Sequence, residues 1–105
     1  MKRTKNMIYK QTAESKELAL FIENTSSLYK KRTLPIVKNL QKKYKKGTFD
    51  KNKAVNAFYL LAVEGAKEYC KEFTFYQPYY QIFDVTARFT AACDLVDAYM
   101  EHITQ

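Results

Sequence analysis

Three acids close to the C-terminus are the first candidates for chemistry. Asp97 and Glu101 lie four residues apart, which on a helix sets two carboxylates on one side, with Asp94 one turn earlier. Paired carboxylates can share a proton or hold a hard cation. No histidine and no third ligand stands at a matching spacing, so these acids read as a solvated helix face. His102 is the only histidine and lies three residues from the end, a poor position for a general base. Cys70 and Cys93 form no Cys-x-x-Cys pair, and neither has a histidine nearby in sequence to activate it. Both fall in helical patterns, so two reduced core thiols are expected rather than a disulfide. The residues therefore imply no catalytic centre, no metal site and no cofactor. They describe a binding protein, not an enzyme.

What could carry function is charge. Residues 1–53 hold fifteen Lys/Arg against four acids, and residues 54–105 hold three against seven. The halves carry +11 and −4, which make up the +7 of the whole chain. A concentrated field of one sign steers an oppositely charged partner. The densest stretch is Lys30, Lys31, Arg32, Lys38, Lys42, Lys43, Lys45, Lys46, Lys51 and Lys53, with Asp50 its only acid. On a helix Lys38, Lys42, Lys45 and Lys46 share a side. That pattern suits phosphates or an acidic protein, against the plain alternative of a solvated face. Lysine far outnumbers arginine, and base reading prefers Arg, Asn and Gln. No helix-turn-helix spacing, zinc finger or RNA-binding aromatic motif is present.

Aromatic residues form the second cluster. Phe73, Phe75, Tyr76, Tyr79, Tyr80 and Phe83 are six aromatics in eleven residues. Tyrosine offers large, stiff, amphipathic area and is enriched at interfaces. Phe75, Tyr76, Tyr79 and Tyr80 are thus candidates for a dimer or partner surface. The competing reading is a loop folded over the end of the body, with Phe73 and Phe83 inside. Base stacking is a third use.

The elements that must position these clusters are helical. Gly and Pro number two each, too few for the many turns of an all-β fold. Residues 1–11 read as a flexible basic arm, and 12–105 as a single helical domain. A first helix starts near Thr12 or Ala13, where Thr12 and Ser15 offer caps, and stops at Asn24-Thr25, with Leu18, Phe21 and Ile22 on one face. Pro35 interrupts the next stretch, which either kinks there or splits; the favoured expectation is a short helix over 26–32 and another over 34–46, Thr33 capping the latter and Gly47 ending it. Val37, Leu40 and Tyr44 then face inward.

Asp50 caps the next helix, whose inward positions are Val55, Phe58, Ala62, Ala66, Tyr69 and Phe73, widened by Ala54, Leu61 and Cys70. Gly65 in its middle calls for a close helix–helix approach. An aromatic loop around Pro78 leads to Asp84, the cap of a last helix with Val85, Phe89, Ala92, Val96, Tyr99 and Ile103 inward, flanked by Leu95 and Met100. The expected fold is all-α, a compact irregular antiparallel bundle of four to five helices.

The longest apolar run, Ala57 to Val63, is far too short to span a membrane. The basic start Met1-Lys-Arg-Thr-Lys lacks the apolar segment of a signal peptide. A cytoplasmic protein without membrane contact is expected.

Leu34-Pro35-Ile36, Lys38-Asn39-Leu40, Gly47-Thr48-Phe49-Asp50, Ala54-Val55, Gly65-Ala66-Lys67-Glu68-Tyr69 and Glu72-Phe73 form a chain of landmarks. With Glu17-Leu18-Ala19-Leu20-Phe21-Ile22-Glu23-Asn24, Leu28-Tyr29 and Arg88, they resemble a family of small proteins carried by phages, prophages and conjugative elements. The resemblance implies a fold type and a genetic setting, and carries no catalytic or ligand-binding residue. Small proteins in such genomes often act against host defences, as phage inhibitors of CRISPR and BREX-type systems do. The resemblance thus implies an accessory protein in the host cytoplasm that binds and inhibits a host defence protein or complex; the aromatic segment adds the expectation of a homodimer. Nucleic-acid binding through the Lys30–Lys53 block is the alternative, and an immunity-type bundle that neutralises a toxin is a third reading.

Overall fold

A computed structural model describes residues 12–105. The expected basic arm over 1–11 lies outside the described residues. The chain folds into an all-α bundle: α1 (Ala13–Asn24), α2 (Ser26–Leu28), a π-turn (Tyr29–Thr33), α3 (Leu34–Lys45), α4 (Lys51–Phe73), α5 (Tyr79–Ile82) and α6 (Val85–Ile103). None of the helices among the described residues is long and apolar enough to cross a membrane.

Local chemistry sets the boundaries. Thr12 and Ser15 form a reciprocal capping box on α1: the Ser15 N–H donates to Thr12 Oγ1 at 3.1 Å and the Thr12 N–H to Ser15 Oγ at 2.9 Å. Asp50 accepts the Asn52 N–H at 2.8 Å to open α4, and Asp84 accepts the Ala87 N–H at 2.8 Å to open α6. Gly47, with φ +77°, closes α3. Its N–H reaches the Tyr44 carbonyl while the Thr48 N–H reaches that of Lys43, the paired bonds of a left-handed helix stop.

Pro35 does not interrupt the helical path, although α3 begins beside it at Leu34, as expected. The stretch from Ser26 to Lys45 is helical throughout, and Thr33, expected as a cap, sits inside it with helical φ −63° and ψ −51°. A π-turn solves the steric problem. The Leu34 N–H donates five residues back to the Tyr29 carbonyl, so the widened turn relieves the clash with the preceding carbonyl. Pro35 then falls at the start of α3, where a missing N–H matters least. The rewinding leaves a cost at Thr33, whose side chain is buried with no partner for Oγ1. Thr33→Val keeps the shape and removes the unpaired hydroxyl. It should raise stability by about 1 kcal/mol, read as a higher urea midpoint; a lower midpoint would show that the hydroxyl is satisfied.

α4 is the central rod. Phe58, Leu61, Ala62 and Ala66 are fully buried along it. It runs antiparallel to α6, with Lys51 beside Asp97 at one end and Tyr69 against Phe83 at the other. It is antiparallel to α3 as well, joined by the 46–50 turn and bridged at the far end by an Arg32–Glu64 ion pair. α1 instead runs the same way as α6, since Thr12 and Glu14 share a cleft with Asp84 and Thr86. Gly65 makes the close approach its position calls for. A Cβ there would lie 2.5 Å from Ile22 Cγ1 of α1.

Four expected inward positions turn out. Val85 and Phe89 face solvent because α6 rotates to bury Ala87, Arg88, Ala91, Ala92 and Leu95. Those alanines let α6 settle close on α4, and the bulkier positions are displaced outward. Tyr44 and Phe73 are also exposed, each with one ring face against a neighbour: Tyr44 against Phe49, Phe73 against Phe21 and Tyr69.

Candidate interaction surfaces

The end of α4 presents an aromatic head. Thr74 closes the helix, its hydroxyl donating to the Cys70 carbonyl at 2.9 Å and accepting the Gln77 N–H at 3.2 Å. Phe75 and Tyr76 come next with φ of +54° and +66°. The left-handed region costs a residue with a Cβ roughly 1–2 kcal/mol, which is why glycine usually occupies it. This chain uses glycine at the matching stop after α3, Gly47, and two aromatics in a row after α4. Nothing in the fold gains packing from the choice, because Phe75 is 97% exposed and Tyr76 74%. The strained turn holds two rings in water. Phe73 and Tyr80, also exposed, flank them. Phe83, by contrast, is buried. The competing reading of a folded-over loop therefore holds for Phe83 and not for Phe73.

Tyr79 is not part of that exposed set. It is half-buried, with Lys67 Nζ 5.3 Å and Arg88 Cζ 5.1 Å from its ring centroid. Arg88 also lies 5.8 Å from the Tyr59 centroid, is 9% exposed, and has no partner for Nε. These cation–π contacts fasten the one-turn α5 to α4 and α6. Tyr79 thus fastens the head to the body while part of the residue still faces outward. Beside it opens a cleft of about 320 Å³ walled by Tyr76, Pro78, Tyr79 and Cys70, with Lys67 and Lys71 also lining it. Sequence reasoning missed both features. The left-handed pair has no composition signal, since neither residue type favours it. Arg88 left a faint one, as the only basic residue between Val85 and Glu101.

The basic block occupies a different place. Lys30 and Lys31 on the π-turn, and Lys38, Lys42, Lys45 and Lys46 on or just after α3, are exposed, and Lys43 is half-buried. None of these seven is ion-paired with a described residue. Arg32 is taken out of the set by Glu64, and Lys51 by Asp97 at 3.6 Å. Among the described residues the acidic half of the chain therefore pairs with Arg32 and Lys51 and leaves those seven without an ion pair. Lys51 opens α4 and Phe73 closes it, about 33 Å apart at helical rise, whereas the π-turn end of the block meets α4 at Glu64, about 13 Å along the helix from Phe73. The lysines of α3 and the exposed aromatics after α4 thus lie on different elements.

The chemical candidates stay apart too. Among the described residues no group of three or more His, Cys, Asp or Glu could hold a metal ion. His102 is exposed, its ring 6.0 Å from that of Tyr99. Cys70 and Cys93 are buried free thiols. Burial first, then Asp97 and Asp94, pushes the Cys93 thiol up to about 11, away from the thiolate a nucleophile requires. Glu23 is raised above the ordinary carboxylate range by burial and by Asp94. The hydroxyl of Tyr69 donates to the Glu17 carboxylate and is pushed up to about 12, chiefly by that bond.

No protein-family model, curated protein or solved structure matches this chain.

Proposed function

We propose that this is a non-enzymatic accessory protein that docks on a protein partner through its aromatic head. One observation carries the reading. Phe75 and Tyr76 hold left-handed backbone while their rings stand exposed. A turn that glycine would make more easily is kept at a cost in stability, and the only product of that cost is exposed aromatic area. Such strain persists where it serves recognition, and exposed aromatics beside a walled cleft are what a protein interface uses as anchors. The resemblance to proteins of phages and conjugative elements directs the choice of partner to a host defence component.

The test is capture from host extract with the tagged full chain and with a Phe75→Gly/Tyr76→Gly variant. The wild-type chain should return one stoichiometric protein complex and the variant should lose it. Equal recovery by both, or no partner from either, would sink the proposal. Sedimentation of both proteins separates a second outcome, in which the head closes a homodimer and the variant turns monomeric.

A further inference from the structure

We propose that the lysine ridge of the π-turn and α3 is a second, separate docking surface, and that its occupant is the phosphate backbone of a nucleic acid. The inference stands apart from the aromatic head, which lies on the segment that follows α4.

Three observations carry it. First, the charge is real at the surface. From Lys30 to Lys46 the chain contains no acid, and apart from Arg32 its cations have no carboxylate partner among the described residues. Second, the charge is arranged. The inward side of α3 is committed to Val37 and Leu40 in the core, which forces Lys38, Lys42 and Lys45 onto the outward side at steps of four and three. From Lys31 to Lys46 the continuous helical path measures about 22 Å, enough to meet several consecutive phosphates. Third, the composition of the ridge separates its possible partners. A protein interface needs an apolar centre and is depleted in lysine. The outward face of α3 offers no such centre; Asn39 lies between the lysines, and Tyr44 is turned partly onto Phe49.

Lysine is a point charge suited to phosphate oxygens. The one arginine, which could have read a guanine edge, is bound to Glu64. The ridge is therefore built for backbone contact without sequence reading. A nucleic acid held there and a protein held by the head would be brought together by one small rigid body.

The experiment is fluorescence anisotropy of the full chain with a short labelled DNA duplex at two salt concentrations. Unlabelled single-stranded DNA, single-stranded RNA and poly-glutamate serve as competitors. Contact with about five phosphates predicts a fall in affinity of roughly 10²–10³-fold between about 50 and 200 mM salt. Lys38→Glu/Lys42→Glu, two exposed positions whose folding is checked by circular dichroism, should weaken binding at least about tenfold at the lower salt and reduce the salt slope by about two. Duplexes of unrelated sequence should compete equally. Phe75→Gly/Tyr76→Gly should bind DNA as the wild type does, so the head and the ridge succeed or fail separately. No binding up to about 100 µM at the lower salt would overturn the proposal. So would an unaffected charge-reversal variant, or poly-glutamate outcompeting every nucleic acid.

Discussion

Gly65→Val should destabilise the fold by about 2–3 kcal/mol, lowering the melting temperature by roughly 10 °C or more. The cause is local and identifiable. A Cβ at this position meets Ile22 Cγ1 at 2.5 Å and Cδ1 at 2.8 Å. Ile22 is fully buried, so its side chain has nowhere to go, and α1 must lift off α4. Gly65→Ala meets the same atoms with less bulk and regains about 1 kcal/mol of helix propensity, so it should cost less. The second half of the test is a double-mutant cycle. Ile22→Ala alone leaves a cavity worth about 3 kcal/mol. Combined with Gly65→Val, each change makes room for the other. The pair should be less destabilising than the sum by at least about 1 kcal/mol. Strict additivity in urea unfolding would mean that the two residues do not touch, and that α1 and α4 do not meet at this glycine.

Much of this architecture is legible in the sequence because it rests on short-range chemistry. The caps at Thr12, Asp50 and Asp84 and the stop at Gly47 each depend on one side chain or one glycine within a few residues of the bond it makes, so the sequence displays them directly. The α4 stripe is legible because a rod buried along one side must repeat at helical spacing. Position 65 announces a close approach for the same reason: a glycine inside a long helix has a cost that only packing offsets. What the sequence does not display is what depends on neighbours. Local sterics at Pro35 predict a kink or a break without deciding between them, and only the register change from Tyr29 to Leu34 lets the helix pass. The rotation of α6 is settled by how closely alanines let it approach α4, which turns Val85 and Phe89 out despite their hydrophobicity. The basic and aromatic clusters are both visible, but not how they sit in space, because the order of residues along a chain does not say that α3 folds back beside α4 and brings Arg32 to Glu64. Composition groups Tyr79 with Phe75, Tyr76 and Tyr80; Lys67 and Arg88 remove it from that group.

Replacing Phe75 and Tyr76 by glycine should move stability and binding in opposite directions. Each aromatic holds its left-handed φ at a cost of roughly 1–2 kcal/mol. Glycine relieves that strain and returns about 0.5–1 kcal/mol of it through its own greater entropy in the unfolded chain. At 97% and 74% exposure the two rings have little packing to lose. The double variant should therefore be more stable by about 1 kcal/mol, seen as a higher urea midpoint with an unchanged slope. Its affinity for the partner should move the other way. Aromatic anchors at the centre of an interface contribute about 2 kcal/mol or more each, so losing both should weaken the complex by a factor of roughly 10² or more. The two readouts discriminate between explanations that either alone would confuse. A variant that binds poorly because it is unfolded would also be less stable. A variant that is less stable yet folded would show that the rings pack against the body after all. A more stable variant that binds as tightly as the parent would leave the strain in the turn without a purpose, and the aromatic head would no longer be the docking surface.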